Sequence, residues 1–225
     1  MAIERGTEER PETRRWLLDW PAIGTWLGLF AATLRALPKL PDMLPVHWGP
    51  TGAADAWLPQ PLALAVGLGF PAVVYVLTWL RPALVGGGKG SVAPPNRLLL
   101  VRRGLVFLCL APHMVILLAS LGLSARVALP IGLGLGLAAI GNVYGLVPPN
   151  PYLGTRTPST LADAVVWRKT HRLTGYLLVT VGLVMAGSAV VFGERAFPVL
   201  AVGLGVALVG TFGSAALGRP RGHPR

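Results

Sequence analysis

Charge is what this sequence has least of. Asp, Glu, Lys and Arg make up 13% of its 225 residues, about half the share of an ordinary soluble domain. Acid is scarcer still: nine carboxylates stand against 20 Lys and Arg, for a formal net charge of +11. A soluble chain this poor in charge would expose large apolar patches and aggregate. A bilayer removes that difficulty, because apolar surface can face lipid. Cysteine is nearly absent too. Cys109, inside an apolar run, stands alone, so no intramolecular disulfide forms and the thiol reads as a packing residue. The basic excess does not point to direct nucleic-acid binding: the charges fill gaps between apolar runs, with no interleaved aromatic–basic surface. Residues 1–15 mix four glutamates with four arginines and lack the basic–apolar–small order of a signal peptide. They predict a short, mobile cytoplasmic tail.

Unbroken apolar sequence is what the chain has in abundance. The runs 56–80, 104–125, 127–155, 173–193 and 196–218 contain no Asp, Glu, Lys or Arg, and about 20 apolar residues suffice for a helix to cross the hydrocarbon. A sixth run, 17–37, carries Asp19 and Arg35 near its ends; both are expected to snorkel to opposite interfaces, with Trp16, Trp20 and Trp26 as anchors. Spans are predicted near 17–37, 61–80, 104–122, 127–147, 173–193 and 197–217. The runs are apolar on every face, unlike the alternating strands of a membrane barrel. Sixteen of the Lys and Arg residues fall on one side of this arrangement and four on the other. By the positive-inside rule both ends are cytoplasmic. The expected fold is an all-α polytopic membrane protein, with six transmembrane helices and N-in/C-in topology. The expected division is a tail (1–15), an N-terminal unit of two spans (16–100), a four-span unit (101–218) and a C-terminal tail (219–225). The stretch between the second and third spans, with glycines at 86–88 and Pro94-Pro95, reads as a flexible basic linker.

Two loops are long enough to carry function. In the outer one, 38–60, Pro38, Pro41 and Pro45 enforce a stiff, extended path, and Gly49-Pro50-Thr51-Gly52 is a turn. Asp42, His47 and Asp55 invite a metal reading and with it a metal-dependent membrane enzyme. No helical His-x-x-x-His spacing supports that site, and the simpler account is a His47–Asp55 hydrogen bond across the turn, with Trp48 and Trp57 at headgroup level. No metal or other cofactor is expected. In the cytoplasmic loop, 147–172, Thr160 and Asp163 have N-cap and N3 spacing and predict a helix start. An amphipathic helix before the fifth span follows, with Asp163, Trp167 and His171 on one face. Arg168, Lys169 and Arg172 would meet anionic lipid headgroups. Such a helix is either a docking surface for a cytosolic partner or a surface anchor for the fifth span. Within the spans, His113 reads as a hydrogen-bonded packing residue, and Gly132 and Gly136 form a weak GxxxG signal. No mid-depth carboxylate supports a coupled transporter, and no nucleophile elbow or other catalytic constellation is present.

The outer loop contains Leu44-Pro45-Val46-His47-Trp48, then Gly52, Asp55 and Trp57. The cytoplasmic segment contains Gly141 and Asn142, Pro149 and Asn150, Gly154, Arg156-Thr157-Pro158, Thr160, Val166-Trp167-Arg168-Lys169-Thr170-His171-Arg172 and Gly175. In this order the two motifs resemble those of the SdpI-type bacterial multi-pass membrane immunity family, whose members often begin with a domain of unknown function marked by LP-x-x-IPVHW. Gly49, Ala54, Ser159 and Ala164 depart from the usual pattern. The resemblance implies a non-enzymatic protein that protects the cell from a secreted, membrane-active peptide toxin. It also implies a signalling role, in which a cytosolic transcriptional repressor is held at the membrane when toxin is present. His47, Trp48, Gly52, Asp55 and Trp57 would then be toxin-facing. Asn142, Asn150, Gly154, Arg156, Thr157, Trp167, Arg168, Lys169, His171 and Arg172 would be partner-facing.

Overall fold

A computed structural model of the chain describes residues 19–85 and 95–217. The expected tails at 1–15 and 219–225 and the glycine linker at 86–88 lie outside the described residues. The elements are α1 (Trp20–Ala36), β1 (Met43–Trp48), β2 (Ala54–Pro59), α2 (Gln60–Leu80), α3 (Pro95–Ser120), α4 (Ala125–Tyr144), α5 (Pro158–Ala162), α6 (Ala164–Phe192) and α7 (Phe197–Leu217), with short 3-10 turns at Leu37–Lys39, Pro82–Val85 and Gly193–Ala196. Each long helix falls on one of the apolar runs. Helices α1 and α2 begin with proline in the first turn, where its missing N–H has no intrahelical partner to lose. Pro71, Pro112 and Pro130 lie inside helices, as membrane helices tolerate when neighbours satisfy the freed groups.

Four helical stretches among the described residues are long and apolar enough to cross a membrane: Gln60–Leu80, Asn96–Ser120, Ala125–Tyr144 and Ala164–Ala216. The last contains α6 and most of α7, joined through Gly193–Ala196. Helix α1 has 17 residues, a little short of a full crossing. Large apolar side chains cover the outer faces, with Val190 73% and Val209 72% exposed. Such faces suit lipid and would not suit water.

Helix α4 packs on α3 along one face and on α6 along another; α7 covers α6, and α1 and α2 pack on α3. Glycine makes these seams close. A Cβ on Gly141 would lie 2.8 Å from the Leu178 Cβ and 2.9 Å from the Gly175 carbonyl oxygen, and one on Gly182 would run into the Gly134 carbonyl. Gly132 and Gly136 line the other face, against Val115 and Ala111 of α3. Hydrophobicity drives no association between helices in lipid, so close backbone packing of this kind supplies the attraction.

Several polar groups in the bundle are paired across helices, and here the structure corrects two expectations. Asp19 does not snorkel. It is fully buried, and the Arg103 Nε donates to its Oδ1 at 3.0 Å. The stretch 95–103 is not linker but the first turns of α3. Arg102, 5% exposed, donates to the Thr78 hydroxyl (3.0 Å) and carbonyl (2.8 Å), with its guanidinium 4.1 Å above the Trp79 ring. A charge entering a helix bundle needs such partners more than it needs water. His113 is the packing residue expected, 2.9 Å from the Thr33 hydroxyl. The Trp26 indole donates to the Leu68 carbonyl, tying α1 to α2.

A test of the close seam is Gly182→Ala. Overpacking there is expected to cost about 1–3 kcal/mol, lowering the thermal midpoint of the detergent-purified protein. Gly187→Ala, where nothing lies within 4 Å of the added Cβ, is expected to be neutral or stabilising because alanine is the better helix former. Equal midpoints for the two variants would refute the account.

Candidate functional site

The segment between α4 and α6 is folded rather than draped. It turns first at Asn150, whose Oδ1 accepts from the Tyr152 and Leu153 N–H groups (2.8 and 2.7 Å) while its amide donates to the Pro148 and Leu153 carbonyls (2.8 and 3.1 Å). Asn mimics a backbone turn in this way. Gly154 follows with φ +117, a conformation L side chains avoid, and a Cβ there would meet the His171 ring. The Thr155 N–H donates to His171 Nε2 at 3.1 Å, and His171 Nδ1 lies 2.9 Å from the Trp167 carbonyl oxygen. Both bonds are met together by the neutral imidazole protonated on Nδ1.

Around His171 the rings stack. Trp167 lies 4.0 Å from it on one side and Tyr144 5.0 Å on the other, centroid to centroid. The Trp167 indole donates to the Val147 carbonyl at 2.9 Å, and the Tyr144 and Thr155 hydroxyls are 3.0 Å apart. One face of α6 therefore holds both the start and the middle of the segment. Thr160 closes the rest, donating to the Thr155 carbonyl at 2.7 Å and completing a reciprocal capping box with Thr157. The Ser159 hydroxyl donates to the Ala215 carbonyl of α7 at 2.8 Å.

This geometry revises the expectations for the segment. The cap of the first short helix is Thr157, not Thr160, and Asp163 is the N-cap of α6, accepting from the Val165 and Val166 N–H groups. No separate amphipathic helix precedes the fifth apolar run: residues 164–192 form one continuous helix. Trp167 and His171, expected to face a partner, are both fully buried. They shape the segment from beneath. Asn142, Arg156, Arg168, Lys169 and Arg172 are exposed, and Asn150, Gly154 and Thr157 are half-buried. The i, i+4 spacing of Trp167 and His171 signalled a shared face correctly; what that face would meet was not in the spacing.

At the other end of the bundle, 43–59 forms an antiparallel hairpin with Leu44 opposite Leu58 and Pro45 opposite Trp57, irregular between Pro45 and Trp48. This sheet is a departure from the all-α expectation. Leu44 is fully buried with Leu40, Leu64, Ile116 and Leu117, so the hairpin is seated on α2 and α3. His47 Nδ1 and Asp55 Oδ1 are 2.5 Å apart across the strands and exposed, the hydrogen bond anticipated from the sequence. Gly52, at φ +79, permits the turn, and the Arg126 Nε donates to the Thr51 carbonyl, fastening the tip to α4. Trp57 is half-exposed and Trp48 packs inward. Among the described residues no three His, Cys, Asp or Glu side chains come together to hold a metal, and Asp42 does not join His47 and Asp55.

Two ordered polar segments at opposite ends of an apolar bundle can now be set beside known proteins. Residues 147–214 match the SdpI/YfhL protein family, and residues 24–72 match a domain of unknown function (DUF1648). The chain is 30% identical over 184 residues to Immunity protein SdpI of Bacillus subtilis (strain 168), covering 80% of this chain and 85% of that protein. The chain belongs to the SdpI/YfhL family. It is a multi-pass protein of the plasma membrane. No solved structure matches it. The first family match contains the Asn150–His171 network apart from Tyr144 and the second contains the hairpin, so both ordered segments lie within family-typical sequence.

The network yields a prediction. Trp167→Phe keeps a ring against His171 but leaves the Val147 carbonyl without its donor, and is expected to cost about 1–3 kcal/mol. The thermal midpoint should fall and limited proteolysis should cut within 147–163 earlier. Unchanged proteolysis together with an unchanged midpoint would show that the indole bond holds nothing.

Proposed function

We propose that this chain is a non-catalytic immunity protein against a secreted, membrane-active peptide toxin. The observation that carries this reading is its 30% identity, across most of both chains, to Immunity protein SdpI. In this reading six helices cross the bilayer with both termini inside, α1 being the shortest, and the chain divides into units 16–100 and 101–218, each of which contains one of the two family matches. The hairpin faces outward and presents His47, Trp48, Gly52, Asp55 and Trp57 to the toxin. The folded segment faces inward, where Arg156, Thr157 and Lys169 meet a cytosolic transcriptional repressor, and Asn142, Arg168 and Arg172 line a cleft beside them. Asn150, Gly154, Trp167 and His171 maintain the shape of that surface. Its support is the burial of the aromatic pair beneath an exposed basic rim. Signalling between the ends requires two helix arrangements that toxin and repressor bind unequally.

Two experiments test the reading. A toxin-sensitive bacterium expressing this chain, challenged with an SDP-type peptide toxin, is expected to survive, and His47→Ala/Asp55→Ala at matched membrane levels is expected to lose protection. Death of cells carrying verified, inserted wild-type protein would sink immunity to that toxin. For topology, in a Cys109→Ser background, Thr51→Cys is expected to react with a membrane-impermeant maleimide in intact cells and Lys169→Cys only after permeabilisation. The reverse pattern would overturn the N-in assignment.

A further inference from the structure

Between α3, α4 and α6, at the end of the bundle that carries the folded segment, lies an open cleft of ≈ 630 Å³. Arg97 from the first turn of α3 and Arg168 and Arg172 from α6 line it, with Asn142 of α4 and, further along α6, Tyr176 and Val179. No Asp or Glu among the described residues lines the cleft. Among the described residues, none of these three guanidiniums is in an ion pair. That differs from Arg102 and Arg103, whose partners lie within the bundle. Arg168 and Arg172 are one turn apart on α6, and the adjoining face of that turn is fixed by the buried Trp167 and His171. Gly145, just past α4, packs against Arg172, where a Cβ would sit 3.2 Å from its Cγ.

We propose that this cleft binds the headgroup of one anionic phospholipid. Planar guanidinium forks match phosphate oxygens in pairs and are weakly hydrated, so three of them facing one cleft make a phosphodiester site rather than a diffuse positive surface. The other half of the argument is shape. From Arg168 to Val179 the cleft runs roughly 16 Å along α6 at the helical rise, passing from guanidiniums to Tyr176, which is 65% exposed, and Val179. With three arginines gathered at one end and Tyr176, Val179 and Thr180 on the outer side of α6 at the other, the cleft has the layout of a headgroup continuing into acyl chains. A free phosphate would occupy only the arginine end. The inference rests on the membrane location of the family, not on toxin immunity. It assigns Arg168 and Arg172 to lipid and leaves Arg156, Thr157 and Lys169 for a protein partner.

The test uses purified full-length protein in detergent, titrated with dioleoylphosphatidylglycerol, dioleoylphosphatidylcholine or inorganic phosphate and followed by native mass spectrometry and thermal midpoint. One phosphatidylglycerol per protein is expected to be retained in preference to phosphatidylcholine, with a raised midpoint. Arg97→Gln, Arg168→Gln and Arg172→Gln are each expected to weaken retention about fivefold, the order of effect of one basic residue at an anionic membrane surface. Arg81→Gln, which removes the same charge from an exposed position outside the cleft, should leave retention unchanged. Equal retention of phosphatidylcholine, an equal loss in Arg81→Gln, or displacement of phosphatidylglycerol by inorganic phosphate at a similar concentration would overturn the proposal; the last would mark a soluble-anion site. Should the α6 variants fail to fold, Arg97→Gln on a separate helix decides alone, and undiminished retention there overturns the proposal. None of these readings involves toxin, so the outcome is separable from that of the survival assay.

Discussion

Where Gly134 of α4 meets Gly182 of α6, and again where Gly141 meets Gly175, the helices are so close that no Cβ fits between them. In water such contacts would be one contribution among many. In lipid the tails solvate leucine as well as another helix does, so contact between backbones is what distinguishes one arrangement from another. This seam fixes the height and rotation of α6 against α4. Its first two turns then place Trp167 beneath the Val147 carbonyl and His171 against Thr155. The folded segment, its exposed basic rim and the arginine cleft all inherit their positions from that contact.

The same constraint explains the treatment of polar groups. A buried charge or hydroxyl in an apolar bundle has no water to turn to, and three such pairs bridge neighbouring helices: Asp19 with Arg103, Arg102 with Thr78, Thr33 with His113. These pairs connect α1 and α2 to α3, where fewer glycines assist. They make the N-terminal unit depend on directional bonds and the α4–α6 pair on shape. The hairpin is held differently again. Leu44 is sunk into the apolar core while His47 and Asp55 bond above it, so an exposed polar surface rests on a fixed apolar footing.

The sequence was informative about some residues and silent about others for identifiable reasons. The turn at Gly49–Gly52 and the His47–Asp55 bond were legible because they are local, and sequence separation of a few residues limits what a chain can do. Strand pairing around that turn went unread because three prolines suggested an extended path without showing what it would pair with. Asp19 was misjudged because its partner is 84 positions away. Thr157 was passed over as a cap because Thr160 and Asp163 offered the same side-chain chemistry a few residues later, and only the path of the chain chooses between them.

By itself the sequence determined the apolar runs on which the long helices fall, the polar segments between them and the family. Those properties follow from apolar run length, charge distribution and residue order, which are one-dimensional quantities. Tertiary structure alone decided that Trp167 and His171 face inward, that 164–192 is one helix, and that Arg97 stands beside Arg168 and Arg172 across a cleft. Helical periodicity states which residues share a face. It does not state whether that face meets lipid, water or a neighbouring helix, because the answer depends on contacts between segments far apart in the chain.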